Sequence, residues 1–233
     1  MKIPASLPSF SSDDINFIID NFKDILEGKS FLSQYKFSEI FENNFSKFIG
    51  TKYGVSCNSG TSALELIFRS IDISGKEVIL PSNTFIATAN AIINAGGKLV
   101  FADCDDDMCL SYDDVINKVN KNTIAICHVH IGGVVSKNAI QLSTFCKSNN
   151  IYFVEDAAQA HGSFFQNNKA GNLGDAAAFS FYSTKVMTTG EGGMITTNNE
   201  DISIKAKSLR EFGKKPNDVY TNIYWALGYN WRM

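Results

Sequence analysis

Apolar residues recur at helical spacing through the first fifty positions. Ile15, Ile18, Ile19, Phe22 and Leu26 share one helix face, and Ser11-Ser12-Asp13-Asp14 ahead of them offers hydroxyl caps and first-turn acids. A second amphipathic helix carries Phe37, Ile40, Phe41, Phe45, Phe48 and Ile49, and Gly50 ends it. From Tyr53 the rhythm changes. Strand-length apolar runs at 53–57, 77–80, 98–102, 123–129 and 151–154 alternate with helical stretches at 61–71, 85–94, 112–119 and 139–148. This βαβ series predicts a mostly parallel sheet covered by helices. Two more strands, at 176–181 and 194–197, lie close together, and a helix over 201–212 follows.

Composition narrows the class. Of the 233 residues, 44% are hydrophobic and 19% charged, and the net charge is −3, a profile of a soluble globular protein. With no block of like charge, nothing favours nucleic acid or an anionic membrane as partner. Cysteines at 57, 104, 109, 127 and 146 are odd in number and lack CxxC spacing, so reduced, buried thiols are expected. No apolar stretch is long enough to span a bilayer, and 1–10 lacks the apolar core of a leader, so a cytoplasmic protein is expected. Residues 220–233 end without a cap or polar tail, which reads as a chain cut in mid-fold.

In an open parallel sheet, ligands gather at the carboxyl ends of the strands. Four polar clusters fall there. Asn58-Ser59-Gly60-Thr61-Ser62 joins a strand to a helix and can present free N–H groups to an anion; a capped turn would look the same. Glu155-Asp156-Ala157-Ala158-Gln159 follows an apolar strand and can offer a carboxylate to a cationic ligand, or Asp156 can cap a helix. Ser180 to Lys185 sets a lysine among hydroxyls, a candidate for Schiff-base chemistry or an exposed loop lysine. Thr189-Gly190-Glu191-Gly192-Gly193 marks a close backbone approach or a hairpin turn. Together they supply an anion cradle, an acid and a lysine, the set that pyridoxal phosphate requires.

The motifs NSGTSAL (58–64), PSNTFIATANA (81–91), EDAAQAHG (155–162), SFYSTK (180–185), TTGEGGM (188–194), LREFG (209–213) and GYNWRM (228–233) resemble, in order and spacing, the DegT/StrS family of pyridoxal-phosphate sugar aminotransferases. The resemblance implies a three-layer α/β/α, aspartate-aminotransferase-like large domain (fold type I) with a seven-stranded sheet over 51–233. Residues 1–50 would form an N-terminal helical segment packed on a missing small C-terminal domain or on a dimer partner. It further implies that Lys185 holds the cofactor and shuttles the proton, and that Asp156 pairs with the pyridine nitrogen. Gln159 would contact the phenolic oxygen side and Phe85 would stack on the ring. Thr61 and Ser62 would give N–H groups, and Ser180 its hydroxyl, to the phosphate. Asn230 would reach the phosphate of the neighbouring subunit in a homodimer.

The reaction implied moves an amino group from an amino acid, glutamate being expected, to a keto group of a nucleotide-linked deoxysugar. A dehydratase branch carries histidine where Lys185 stands, so Lys185 favours the aminotransferase branch. An inactive fragment, an interaction module or a lyase of the same fold are the alternatives. Ser183 and Phe212 depart from the family's usual proline and histidine, away from the chemistry. His128, His130 and His161 lack metal-ligand spacing; His130 and His161 are expected to pack or to line the pocket.

Overall fold

A computed structural model of the chain describes residues 7–215 and 223–233, so that parts of the two terminal readings, 1–6 and 220–222, lie outside the described residues. The chain opens with helices α1 (Ser12–Leu26) and α2 (Lys36–Ile49). It then alternates through β1 (Tyr53–Cys57), α3 (Gly60–Ser70), β2 (Glu77–Pro81), α4 (Ile86–Asn94), β3 (Lys98–Ala102), α5 (Tyr112–Lys118), β4 (Thr123–Val129), α6 (Lys137–Asn149) and β5 (Tyr152–Asp156). A small hairpin of β6 (Phe164–Phe165) and β7 (Asn168–Lys169) precedes β8 (Ala176–Ser180), β9 (Gly193–Thr197) and α7 (Glu200–Arg210).

Seven strands form one sheet in the order β1-β9-β8-β5-β4-β2-β3. The pairs β3–β2, β2–β4, β4–β5 and β5–β8 are parallel, and only β9 runs against its neighbours β8 and β1. The expected mostly parallel sheet is therefore present. The close spacing of 176–181 and 194–197 resolves as antiparallel neighbours joined by residues 181–192.

Alternation along the strands divides the core in two. Val78, Leu80, Cys127 and Val154 face α3, α4 and α7, packing with Leu66, Ile67, Phe68 and Ile92. On the other face Phe45 and Ile49 of α2 pack on Phe179 and Phe181, and Leu142 of α6 packs on Ile126 and Phe153. Each large side chain so buried contributes about 1.5–3 kcal/mol. The result is three layers. All five cysteines are free; 57, 109, 127 and 146 are buried, and burial pushes the Cys57 and Cys146 thiols up to about 12.

The two N-terminal helices differ. In α1 the expected cap is a full capping box between Ser11 and Asp14, with Ser11 Oγ accepting from Asp14 N at 3.1 Å. Yet Ile15, Ile18, Ile19, Phe22 and Leu26 stay between 46% and 71% exposed. By contrast α2 buries Glu42, Phe45, Ser46 and Ile49. It approaches β1 so closely that a Cβ on Gly54 would lie 2.5 Å from the Glu42 carbonyl oxygen.

A buried ion pair fastens α2 to β1 and α7. Glu42 Oε1 accepts from Ser56 N and Ser56 Oγ, both at 2.9 Å, and from Arg210 Nη1 at 2.5 Å. Arg210 Nη1 also donates to Ser56 O at 2.7 Å. Removing one partner strands the other charge, so Arg210→Ala should lower the unfolding free energy by roughly 3–5 kcal/mol in urea titrations. A loss below about 1 kcal/mol would show that Lys207, 3.9 Å from Glu42 Oε2, takes over the pairing.

Candidate functional site

A cleft of ≈ 410 Å³ opens at the carboxyl edge of the sheet, lined among others by Thr61, Phe85, Asp156, Gln159, Ser180 and Lys185. Three of the four sequence clusters meet there, and Glu191 from the fourth lines it too. A larger depression of ≈ 540 Å³ lies at the opposite end of β5 and holds none of the expected groups.

The first wall is the β1–α3 turn. Ser59 caps α3, its Oγ accepting from Ser62 N at 3.1 Å, and Ser62 Oγ donates to Asn58 Oδ1 at 2.7 Å. The Ser62 N–H is thus taken by the cap and Ser62 is buried, whereas Thr61 lines the cleft and its N–H has no partner among the described residues. Of the two expected N–H donors, the structure leaves one free. Glycine is required at two contacts. A Cβ on Gly60 would sit 2.8 Å from Ser180 Cβ, and one on Gly193 would sit 2.1 Å from Ser59 O. The glycines of 189–193 therefore serve, at Gly193, a close backbone approach.

Strand β5 runs two residues further than the apolar pattern suggests, through Glu155 to Asp156, and turns rather than a helix follow. Pleating sends the two carboxylates to opposite faces. Glu155 accepts from Gly171 N at 2.8 Å, Leu173 N at 2.8 Å and Gly174 N at 2.9 Å, and pairs with His130 Nε2 at 2.9 Å. It is a fixed structural group. Asp156 faces α4: its Oδ2 accepts from Thr88 Oγ1 at 2.7 Å and its Oδ1 from Ala158 N at 3.2 Å. Burial raises the Asp156 carboxyl above its ordinary value, and the Thr88 and Ala158 hydrogen bonds offset this only in part. A cationic ligand group would complete the compensation.

Gln159 Oε1 accepts from Gly132 N at 2.7 Å, which turns the amide NH₂ away from that bond. Phe85 caps α4 and stands 71% exposed on the rim. Lys185 is half-buried on the loop after β8, its N–H donating to Tyr182 O at 2.9 Å. Ser180, the last residue of β8, keeps its hydroxyl at the cleft. Asn230 is not brought in; it is exposed and bridges to Glu211 outside the cleft. Its neighbour Trp231 accepts from Asn58 N at 3.0 Å, so the 228–233 motif is tied to the β1–α3 turn.

Three groups escaped the sequence reading: Thr88, Thr84 and the Gly132 N–H. The i, i+4 spacing of Thr84 and Thr88 was the available signal. His130 lines the cleft, as expected. His161 packs against Phe45, Phe179 and Phe181, with ring centroids 6.3, 5.4 and 5.1 Å away. Among the described residues no cluster of metal-ligating side chains occurs, and no helix is long and apolar enough to cross a membrane.

The sheet order and strand-end site define the aspartate-aminotransferase-like class, pyridoxal-phosphate fold type I. The chain belongs to the DegT/DnrJ/EryC1/StrS aminotransferase family, whose model matches residues 12–233. It is 34% identical to the GDP-perosamine synthase of Caulobacter vibrioides, over 100% of this chain and 61% of that protein. Helicobacter pylori PseC, an aminotransferase involved in the biosynthesis of pseudoaminic acid, superposes with a TM-score of 0.91 at 30% identity, over 100% of this chain and 62% of that one. The putative sugar aminotransferase Spr1654 from Streptococcus pneumoniae, solved in a PLP form, gives 0.82 at 26% identity over 96% and 62%. The chain thus spans about three fifths of the length of these relatives.

Burial pushes the His161 imidazole down to about 4; its ring nitrogens have no partner, the Ser180 backbone lying near without a well-formed hydrogen bond. A neutral buried histidine contributes stability that is full above its unfolded value of about 6.5 and is lost as pH falls toward 4. Urea titrations at pH 7 and pH 5 should show a decline in stability that is about 1 kcal/mol larger in the wild type than in His161→Phe. Equal declines would mean that the ring is not held neutral.

Proposed function

We propose that the cleft binds pyridoxal phosphate and that the protein transfers an amino group from an amino acid, glutamate, to a keto group of a nucleotide-linked deoxysugar, in amino-sugar and cell-surface polysaccharide biosynthesis. The observation that carries this reading is the meeting of Lys185 and the under-compensated Asp156 carboxylate in one cleft with the free N-terminus of α3. The donor set fits the cofactor. The Thr61 N–H, without a partner among the described residues, and the Ser180 hydroxyl would serve a phosphate, and the α3 dipole favours an anion there.

When bound, pyridoxal phosphate supplies the electron sink for a carbanion at the donor Cα. Asp156 would keep the ring nitrogen protonated through an ion pair. Lys185 would hold the cofactor by its amine, and its Nζ would carry the proton taken from the donor Cα. Phe85 would lie against the ring and the Gln159 NH₂ would serve the phenolic oxygen side. Ser62, with its N–H used by the cap, contributes by fixing the turn rather than by a free N–H.

This reading takes residues 51–233 as the cofactor-binding domain and 1–50 as a helical segment. It further takes a cytoplasmic homodimer, in which the exposed Asn230 side chain serves the neighbouring subunit's phosphate. The GDP-perosamine synthase likeness supports a nucleotide-linked acceptor.

The purified chain mixed with pyridoxal phosphate should develop a visible band that borohydride fixes to Lys185. Lys185→Ala should lack the band and lose at least about 10²–10⁴-fold in turnover. An identical fixed band in the mutant would remove Lys185 from the role.

A further inference from the structure

Thr88 is fully buried in the first turn of α4, and its Oγ1 lies 2.7 Å from Asp156 Oδ2 and 2.8 Å from Thr84 Oγ1. Each hydroxyl has one proton. An ionised carboxylate only accepts, so the Thr88 proton points to Asp156. The 2.8 Å contact with Thr84 then closes only if Thr84 donates to Thr88. The competing acceptor for the Thr84 proton, Phe85 O, is 3.4 Å away and far weaker. The hydrogen bonds therefore run one way, from Thr84 at the cleft rim through Thr88 to Asp156.

We propose that Thr88, backed by Thr84, is a positioning residue that locks the rotation of the Asp156 carboxylate and reserves the remaining lone pairs for the cationic group of the ligand. Asp156 Oδ2 is fixed by Thr88 and Oδ1 is held from behind by Ala158 N at 3.2 Å, so the carboxylate plane is set before anything binds. A carboxylate free to turn would have to be ordered on binding, which weakens affinity. Phe85, which would stack on the same ring, lies between the two threonines in sequence, at the N-cap of α4. One helix start thus carries both the residue that would stack on the ring and the residue that fixes Asp156. This inference rests on the proposed cofactor reading for its ligand, but not for the state of Asp156.

The test uses Thr88→Val, which keeps volume and branching in a fully buried position, with Thr88→Ser as the restoring variant. The first readout needs no cofactor: the ¹³C carboxyl titration of Asp156, assigned by its disappearance in Asp156→Asn. His130 and Lys185 are the charged or titratable groups that also act on this carboxylate, and neither variant changes them. Thr88→Val should move the Asp156 titration upward and Thr88→Ser should bring it back. Thr84→Val, at the more open rim, should move it in the same direction by less.

The second readout is the affinity for pyridoxal phosphate, which should fall about tenfold in Thr88→Val, the loss of one charge-assisted hydrogen bond, and recover in Thr88→Ser. A folded Thr88→Val chain whose Asp156 titration matches the wild type overturns the proposal. Should Thr88→Val not fold, an unshifted titration in Thr84→Val overturns it instead. A wild-type chain that binds no pyridoxal phosphate sinks the cofactor reading alone, and the titration still decides the role of Thr88.

Discussion

Two adjacent carboxylates end β5, and the pleat of the strand assigns them opposite fates. Glu155 is satisfied by three backbone N–H groups and His130, and so ties the 171–174 segment and the β4 end to the sheet. Asp156, one residue on, is buried with two donors, and burial raises its carboxyl above the ordinary value in spite of them and of the nearby His130 and Lys185. The sheet needs the first to hold its edge together. The site is built around the second. A one-residue slip in β5 would exchange them, placing Asp156 on the face covered by α6 and Glu155 in the cleft.

The remaining parts of the cleft are positioned by approach distances that side chains forbid. Gly60 lets the start of α3 touch Ser180, and Gly193 lets β9 pass under Ser59. These two contacts bring the N-terminus of α3 against the strand that launches the Lys185 loop. Alanine at either place would push the helix start away from the lysine, with no change in the chemical groups themselves. The geometry of the site is thus held largely by what is absent at two positions.

Much of this was legible in the sequence because it is local. The change of period at Tyr53, the cap at Ser11 and the strand-end position of Asp156 and Lys185 all follow from short-range rules. What escaped was relational. Thr88 looks like an ordinary helix residue until α4 packs on β5. Ser62 reads as a free N–H donor until the Ser59 side chain claims it. The apolar stripe of α1 predicts a helix correctly but not its burial, since periodicity specifies a face and says nothing of what covers it.

Burial opposes the charge on Asp156, and each added donor relieves it without cancelling it. Lys185 and His130 also act on this carboxylate, yet burial remains the largest effect. On the proposed reading, a rotationally fixed carboxylate that keeps this cost of burial would gain most from a cationic ligand group. Thr88 suits this purpose because a hydroxyl orients a carboxylate without neutralising it.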